Sequence, residues 1–320
     1  MRSAVIGLGV IGKQHARILR ERGELYAVCD VQTDRLSPYG DVICETSFIR
    51  LLDEHKPDVV HICTPHYLHA DMVIEALKRN IHVLCEKPMC IRTEDIDRIL
   101  QAERGSTAML GVCHQNRFNP ENRFVKEYLR DKSLVGGVGY VAWHRTAEYY
   151  GADAWRGKWE TEGGGVLINQ ALHTLDLLLW FLGDPEQITA SICNLTLADS
   201  IEVEDTATLL CQGKSGFTFY ATNGAPHSFP VYVTLTTEDK HTVTLLPHAV
   251  LIDGEYTDLP AETKEVYGKP CYGKGHVALI QDFYDCIATG RHFEIDGKEG
   301  ARVVRLILAA YRSQGHSISL

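Results

Sequence analysis

A glycine motif near the N-terminus places the strongest constraint on how this chain can fold. Gly7, Gly9 and Gly12 occur as G-x-G-x-x-G in "AVIGLGVIG", after an apolar run and before a helical pattern. A second apolar run ends at Asp30, eighteen residues after Gly12. In dinucleotide-binding units with this spacing, the first glycine permits a tight turn, the second admits a pyrophosphate, and the third allows close helix packing. The motif predicts a Rossmann domain.

The start of the helix that follows would face the phosphates of the dinucleotide. Val10 and Ile11 lie in its first turn, where backbone N–H donors and the helix dipole favour an anion. Asp30 would accept a hydrogen bond from the ribose 2′-hydroxyl. It would repel a 2′-phosphate by about 4 kcal/mol at about 4 Å and an effective dielectric of about 20. Residues 31–33 bring no cation, which favours NAD over NADP, but an Arg35 that folded back would weaken that preference.

Short apolar runs alternate with amphipathic helical patterns from residue 1 to about residue 116, which predicts a doubly wound parallel sheet. Ligands bind beyond the carboxyl ends of such strands. Candidate binding residues follow two strands, in "CTPHYLH" and "CEKP": Thr64, Pro65, His69, Glu86 and Lys87. Because Lys87 follows the apolar run "IHVLC", we expect it to act in the site rather than as a solvated surface charge.

The periodicity of the apolar residues changes in the second part of the chain. Runs with period-two character between residues 188 and 252 predict a large, mostly antiparallel sheet, and helices are expected around 121–130, 167–182, 274–288 and 297–313. The sequence therefore predicts a dinucleotide-binding domain over 1–116 and an α/β domain for substrate binding over 117–320. A chain of 320 residues is long enough for two domains.

Composition excludes several classes of function. A formal net charge of −10 argues against nucleic acid or an anionic membrane as a general partner, and no apolar run approaches the length of a membrane span. The ten cysteines contain no C-x-x-C pair, which favours reduced thiols in a cytoplasmic protein. The 15 histidines form no tight ligand pattern, so we expect no metal site.

Several motifs together resemble one family. They are "GLGVIG", "TPHYLHADMVIEAL", "EKP", "HQNRFNP" and "GGGVLINQALHTLDLL", and they extend over nearly the whole chain. The chain resembles the Gfo/Idh/MocA family of NAD(P)-dependent oxidoreductases, which act mostly on sugars and cyclic polyols. The resemblance implies a Rossmann domain followed by an α/β domain with a large open-faced sheet. That face commonly forms the interface of a homodimer or homotetramer.

The resemblance also implies roles for particular residues. In such proteins the lysine of "EKP", here Lys87, contacts the nicotinamide ribose and the substrate hydroxyl. The histidine of the glycine-led helix, here His173, is the usual general acid/base, and many members carry Asp where this chain has Asn169. An amide cannot accept a proton near neutral pH, so this position supplies hydrogen bonds rather than a carboxylate.

The glycine-led stretch carries its polar residues at helical spacing. Asn169 and His173 are i and i+4, and His173 and Asp176 are i and i+3, so one helix face would present all three. Three preceding glycines, residues 163–165, would let the backbone pass close to a sugar ring and the nicotinamide. An imidazole near its ordinary pKa suits removal of the hydroxyl proton, and Asp176 would either orient the ring or cap local donors.

Weaker candidates for contacts with the substrate lie around these residues. Arginines can bind hydroxyls or a carboxylate, and aromatic rings can stack on the apolar face of a sugar. The candidates are Asn116, Arg117, Tyr149, Trp155, Arg156 and His276.

Three functions fit the sequence. The first is an NAD-dependent enzyme that moves hydride between nicotinamide and a hydroxyl-bearing carbon of a sugar or polyol. The second is an NAD-dependent glycosidase that oxidises the sugar transiently, eliminates the aglycone and returns the hydride to the same cofactor. The third is a sensor that binds dinucleotide without catalysis. Both Lys87 and His173 are present, which favours an enzyme.

Overall fold

A computed structural model describes residues 1–259 and 275–320. The chain forms two compact units, each with its own sheet. The first contains Met1–His114 and His276–Ala301, and the second contains 115–259, Gly275 and Arg302–Leu320. The sequence placed all of 117–320 in the second domain, whereas the structure assigns most of the penultimate helix and the first turn of the last one to the first unit.

The first unit contains a six-stranded parallel sheet with the order β3-β2-β1-β4-β5-β6. Its strands are β1 Ser3–Ile6, β2 Leu25–Cys29, β3 Ile43–Glu45, β4 Val59–Ile62, β5 His82–Cys85 and β6 Leu110–Val112. Four of them, β1, β4, β5 and β6, are almost completely buried, as expected for the short apolar runs of a parallel sheet that is covered on both faces. The predicted Rossmann sheet is confirmed.

Helical segments connect these strands. They are α1 Val10–Glu21, a 3₁₀ turn at Thr33–Tyr39, α2 Phe48–Arg50 continuing as a π turn over Leu51–His55, a 3₁₀ turn at His66–Leu68, α3 His69–Leu77 and α4 Thr93–Arg104. Two long helices close the chain, α8 Gly275–Thr289 and α9 Gly297–Ser313. The predicted start of α8 at Lys274 lies outside the described residues.

Helix α8 belongs to the first unit because of what its aromatic residues contact. The hydroxyl of Tyr284 donates to Oγ of Ser3 at 2.7 Å, at the start of β1. Phe283 and Phe293 pack against β6, where a Cβ on Gly111 would lie 2.8 Å from the Phe283 ring. All of these residues are buried, so α8 completes the core of the Rossmann unit.

The second unit contains a nine-stranded sheet with the order β14-β13-β12-β11-β7-β10-β9-β8-β15. Its strands are β7 Leu134–Ala142, β8 Gln187–Cys193, β9 Thr206–Gln212, β10 Gly216–Thr222, β11 Tyr232–Thr237, β12 Thr242–Leu246, β13 Ala249–Ile252, β14 Glu255–Tyr256 and β15 Ile318–Ser319. Neighbours are antiparallel except β7 and β10, which are parallel. The predicted large and mostly antiparallel sheet is confirmed.

The helical segments of the second unit lie mainly before β8. They are a 3₁₀ turn at Gln115–Phe118, α5 Pro120–Tyr128, α6 Ala147–Gly151, and a π turn at Leu167–Ala171 that continues directly as α7 Leu172–Leu182. The π turn was not predicted. Such turns replace i+4 hydrogen bonds by i+5 ones and are frequent at functional sites.

The sequence also gave no indication of strand β7, which lies near the middle of the sheet. The glycines of this strand are needed for packing. A Cβ on Gly137 would lie 3.2 Å from the Leu182 side chain, and one on Gly139 would lie 2.8 Å from that of Leu178. Helix α7 therefore packs directly on the backbone of β7, which fixes the helix against the sheet.

The face of this sheet opposite α7 carries a ladder of tyrosines. The Tyr140 ring stacks on Tyr220 and Tyr232, with ring centroids 5.7 and 5.1 Å apart. Apolar side chains on the same face are partly exposed, among them Val138 and Leu210. In the described part of the chain, no helix combines the length and the apolar character needed to cross a membrane.

Candidate functional site

The turn between β1 and α1 has the geometry of a pyrophosphate-binding loop. Gly7 has φ of +86°, and a Cβ there would lie 2.6 Å from the carbonyl oxygen of Cys63. A Cβ on Gly12 would overlap the carbonyl oxygen of Gly7. Gly9 has open space around its missing Cβ, with no atom within 4 Å. Gly7 and Gly12 therefore allow the tight turn, and Gly9 leaves room for a ligand.

Helix α1 begins immediately after this turn. Gly9 is its N-cap, and no acidic residue occupies its first turn. Val10 is 63% exposed and Ile11 is half-buried. The first N–H groups of a helix have no partner within the helix, so this end can receive a phosphate group.

Asp30 braces the turn from the end of β2. Its Oδ2 accepts the backbone N–H of Leu8 at 2.6 Å, and its Oδ1 accepts that of Gln32 at 2.9 Å. The carboxylate is 6% exposed. Arg35 folds back, with Nη1 3.5 Å from Oδ2 of Asp30. Asp30 thus has a structural role in addition to the expected one, and the cation that would weaken discrimination against NADP is close to it.

His69 lies beneath the ends of β4 and β5. It is fully buried, with Nδ1 2.7 Å from the carbonyl oxygen of Pro88 and Nε2 2.8 Å from that of Thr64. Burial lowers the pKa of its imidazole. Thr64 and Pro65 are half-buried. In this structure His69 joins the two strand ends, while Thr64 and Pro65 remain partly open to a ligand.

Glu86 lies directly under Lys87. Its Oε1 is 3.1 Å from Nε2 of His15 and 3.4 Å from Nε2 of His276, and its Oε2 accepts the backbone N–H of Lys87 at 3.2 Å. Burial alone would raise the pKa of Glu86, but the hydrogen bonds from His15 and His276 hold it well below the usual range. The result is a buried negative charge that supports the half-buried Lys87.

A chain of buried polar contacts extends from Glu86. Nδ1 of His15 is 2.8 Å from Nδ1 of His61, and Nε2 of His61 is 3.0 Å from the Tyr284 hydroxyl. Burial lowers the pKa of His61 far below its ordinary value. Ligand atoms of His15, Glu86 and Cys113 lie within 4.8 Å of one another, a spacing that a cation could bridge. The hydrogen bonds already pair the first two of these, and we assign the cluster to the polar core.

The glycines before the π turn are required by packing within the protein, which the sequence did not reveal. Gly163 and Gly164 have φ of +85° and +145°. A Cβ on Gly164 would overlap the Tyr311 hydroxyl, and one on Gly165 would overlap the carbonyl oxygen of Glu204. The expected approach to a sugar is therefore not required to explain Gly164 and Gly165, because the protein itself fills that space.

Glu204 holds this segment. Its carboxylate accepts the backbone N–H groups of Gly165 at 2.8 Å and Leu167 at 3.0 Å, and the Tyr311 hydroxyl at 3.0 Å. Glu204 is 2% exposed. Burial raises its pKa to about 7, against the effect of the two backbone donors. No pattern in the sequence marked this residue, because "IEVED" reads as a polar loop.

Asn169 and His173 are the half-buried polar residues of the helix that follows. Nδ2 of Asn169 donates to Oε1 of the buried Glu162 at 2.5 Å, and Nε2 of His173 is 3.5 Å from Nε2 of Gln115. Their neighbours Ile168 and Leu172 are fully buried. The helix therefore presents an amide and an imidazole on its more open side.

Asp176, expected beside His173, is engaged elsewhere. It accepts two hydrogen bonds from Arg117, at 2.8 Å from Nε and 2.6 Å from Nη2. Both side chains are 1% exposed. Arg117 had been a candidate for contact with the substrate, but in this structure its guanidinium is enclosed and paired, so we assign it to the core.

The remaining candidates differ in exposure, because His276 is only 2% exposed and lies against Glu86, whereas Tyr149 is half-buried. Asn116 and Trp155 are half-buried, and so is Arg156, whose Nε donates to Asp153 at 3.0 Å and Nη1 to the Tyr149 hydroxyl at 2.9 Å. The first unit thus gathers the glycine turn, Asp30 and Lys87. The second gathers Asn169, His173 and the residues around Arg156.

Both units match the models of one family. Residues 1–114 match the GFO_IDH_MocA model, described as an oxidoreductase family with an NAD-binding Rossmann fold, and residues 123–238 match the GFO/IDH/MocA C-terminal domain. The D-glucoside 3-dehydrogenase of Escherichia coli (strain K12) is 31% identical over 194 residues, which cover 58% of this chain and 55% of that protein. The myo-inositol 2-dehydrogenase of Thermotoga maritima is 26% identical over 225 residues, 68% of this chain and 66% of that protein.

A solved structure matches over the full length. The WlbA dehydrogenase from Bordetella pertussis, determined in complex with NADH and UDP-GlcNAcA, has a TM-score of 0.86 at 29% identity, covering 100% of this chain and 98% of that chain. With the curated D-glucoside 3-dehydrogenase, by contrast, the match spans only about half of that protein's length. Because both halves of the sequence match models of the same family, the chain belongs to the Gfo/Idh/MocA family of oxidoreductases.

Proposed function

We propose that this protein is an NAD-dependent dehydrogenase that transfers hydride between nicotinamide and a hydroxyl-bearing carbon of a sugar, sugar derivative or cyclic polyol. The observation that carries the proposal is the turn after β1, where Gly9 alone has open space and α1 directs its N-terminus at that space. A glucoside dehydrogenase and an inositol dehydrogenase among the relatives support the substrate class.

The reaction requires a proton acceptor and a group that stabilises oxygen. As the carbon gives hydride to the nicotinamide, its hydroxyl loses a proton and becomes a carbonyl. We assign the proton to His173, which is half-buried on the more open side of its helix. We assign the oxygen to the ammonium of Lys87, whose position the buried Glu86 supports. Asn169 supplies hydrogen bonds to the substrate.

The cofactor is NAD, with NADP disfavoured by the carboxylate of Asp30. That carboxylate lies at the end of β2, where the ribose 2′-hydroxyl is bound in dinucleotide folds. The nearby Arg35 offsets part of its charge. Discrimination against NADP should therefore be smaller than for an unpaired carboxylate.

We further propose that copies of the chain associate through the exposed face of the nine-stranded sheet, as a homodimer or homotetramer. Its partly exposed apolar side chains, such as Val138, Leu210 and Tyr220, support this. The described cysteines are free thiols, which supports a reducing compartment such as the cytoplasm.

The test is turnover of aldoses, inositols and glycosides by the purified protein with NAD. Net NADH and an oxidised product detected by mass spectrometry are expected. Cleavage of a glycoside without net NADH would instead identify a glycosidase that recycles its cofactor. Binding of NAD with neither reaction across the panel would contradict an enzymatic function.

A further inference from the structure

Five side chains at one edge of the nine-stranded sheet form an alternating stack, which we call the arginine ladder: Trp143, Arg145, Tyr149, Arg156 and Trp155. The guanidinium carbon of Arg145 is 4.9 Å from the ring centroids of both Trp143 and Tyr149. That of Arg156 is 4.9 Å from Tyr149 and 4.5 Å from Trp155. Each cation therefore lies against two aromatic rings.

The backbone holds the ladder in place. Strands β7 and β10 are parallel, so their carboxyl ends meet at one edge of the sheet. Beyond β7, the N–H of Trp143 donates to the carbonyl of Thr222 at 2.8 Å, and that of Arg145 donates to the carbonyl of Asn223 at 2.9 Å. Because the segment is bonded to the end of β10, the position of Arg145 is set before any ligand arrives.

The two arginines differ in their counter-charges. Arg156 pairs with Asp153 at 3.0 Å and lies 3.9 Å from Oε1 of Glu162. Arg145 has no carboxylate within 4.0 Å among residues 1–259 and 275–320, and its Nη1 donates to the carbonyl oxygen of His144 at 2.9 Å. In the same residues its Nε is buried without a hydrogen-bond partner. Among the described residues Arg145 therefore has no counter-ion, in a chain with a formal net charge of −10.

Such an arginine is suited to a planar anion. The aromatic rings stack on the two faces of the planar guanidinium, so the N–H groups at its edge stay available. Two neighbouring N–H groups at that edge match the spacing of the two oxygens of a carboxylate. A buried donor without a partner costs free energy, so native proteins pair such groups with protein, water or ligand. A carboxylate that accepts from Nη2, at the accessible edge of the guanidinium, would supply the missing charge.

The ladder connects to the residues proposed to act on the substrate. Oε1 of Glu162, close to Arg156, accepts from Nδ2 of Asn169 at 2.5 Å. On the other side, Nε2 of Gln170 donates to the Tyr149 hydroxyl at 3.3 Å. Asn169 and Gln170 lie in the π turn that leads into the helix of His173.

We propose that Arg145 binds the carboxylate of the substrate, so that the preferred substrates are sugar acids of the hexuronate type rather than neutral sugars. The inference rests on the proposed dehydrogenase function and narrows its substrate class. The ladder selects the acid, and His173, in the same unit, acts on a hydroxyl of the substrate.

The test compares sugars that differ only at the terminal carbon: D-glucose, D-glucuronate and D-glucose 6-phosphate, and the corresponding galactose series. Turnover with NAD and binding to the NADH complex, by titration calorimetry, are both measured. Hydrogen bonds to a charged group predict kcat/KM and affinity about 10- to 100-fold higher for the uronates than for the neutral sugars. Equal values, no binding of either, or a preference for the phosphates would overturn the assignment.

Variants separate the carboxylate contact from general effects on folding. Arg145→Met retains an apolar stem for the stack and should lose most of the preference for uronates, and Arg145→Lys should lose part of it because lysine lacks the planar fork. The matched control is Arg123→Met, which alters an arginine stacked 4.2 Å from the Phe118 ring in the same unit and should leave the preference unchanged. Thermal unfolding checks whether all three variants fold.

The outcomes distinguish this inference from the proposed function. Turnover of neutral sugars without any preference for uronates overturns the inference and leaves the dehydrogenase intact. Uronate binding that Arg145→Met removes, in a protein that oxidises none of the sugars, supports the carboxylate contact and contradicts the dehydrogenase. A preference that persists in Arg145→Met overturns the role of Arg145.

Discussion

Arg117 and Asp176 form a bidentate ion pair in the core of the second unit, with two hydrogen bonds of 2.8 and 2.6 Å. The pair joins the 3₁₀ turn after the Rossmann unit to helix α7, one turn beyond His173. The guanidinium carbon of Arg117 also lies 5.6 Å from the centroid of the Trp180 ring. The helix that carries His173 is therefore anchored by a charge pair on its buried side.

Replacing one member of this pair should destabilise the protein strongly. Arg117→Met leaves the Asp176 carboxylate buried without its counter-charge, which should cost about 3–5 kcal/mol in the free energy of unfolding. The double variant Arg117→Met with Asp176→Leu removes both charges and should recover most of that loss. Urea unfolding of the three proteins measures this. A loss below about 1 kcal/mol in the single variant would show that water or another cation compensates Asp176.

The contact between Asn169 and Glu162 predicts the effect of placing an acid at position 169. Asn169→Asp places a second carboxylate about 2.5 Å from Oε1 of Glu162, and two such groups cannot both ionise readily. One folded-state pKa of the pair rises above its unfolded value. The variant should therefore be near wild-type stability at low pH and lose stability as the pH rises through that pKa. Adding Glu162→Gln should abolish this dependence, and a flat difference across the pH range would contradict it.

Glu204 predicts a pH dependence of the native protein. Its folded-state pKa of about 7 lies above the ordinary value of 4.5, so the folded state favours the protonated acid. This stabilisation is complete below pH 4.5 and is lost as the pH rises through about 7, by about 3 kcal/mol in total. Glu204→Gln should flatten this part of the profile in urea unfolding and raise the stability at pH 8. An identical profile in the variant would contradict the buried acid.

Asp30 and Arg35 predict a change of cofactor preference. Asp30→Asn keeps an oxygen that can accept the N–H of Leu8 but removes the charge that faces a 2′-phosphate. The ratio of kcat/KM for NADP to that for NAD should rise at least about 10-fold, since about 4 kcal/mol of repulsion before screening is removed. Adding Arg35→Met should reverse part of the gain. A ratio unchanged by Asp30→Asn would show that neither side chain reads the 2′-position.

The Rossmann sheet followed from sequence because its signals are local. The glycine spacing, the apolar runs and Asp30 lie within one short strand–helix–strand stretch, and each has a direct backbone consequence. Strand β7 was missed because Gly136, Gly137 and Gly139 resemble a loop in isolation. Gly137 and Gly139 are required by residues far along the chain, because Leu182 and Leu178 pack against the strand there.

In the candidate site, too, residues marked by local motifs were predictable, and residues that depend on long-range contacts were not. Lys87, Asn169 and His173 were identifiable from motifs and strand ends, whereas their supports were not. Glu204 contacts Gly165 from 39 positions away, and Tyr311 contacts Glu204 from 107 positions away. Asp176 was assigned to His173 by helical spacing, and only tertiary packing reveals that Arg117 takes it instead. Long-range partners of this kind leave no periodic signal in the sequence.

The central proposal is that Lys87 and His173 both take part in hydride transfer to NAD. Its most direct test is the kcat/KM for NADH formation by wild type, Lys87→Met and His173→Ala on the best substrate of the sugar and polyol panel, with NAD binding measured in parallel. Each variant should lose about 10²- to 10⁴-fold in kcat/KM while still binding NAD. Turnover that persists at the wild-type level in both variants would contradict the account.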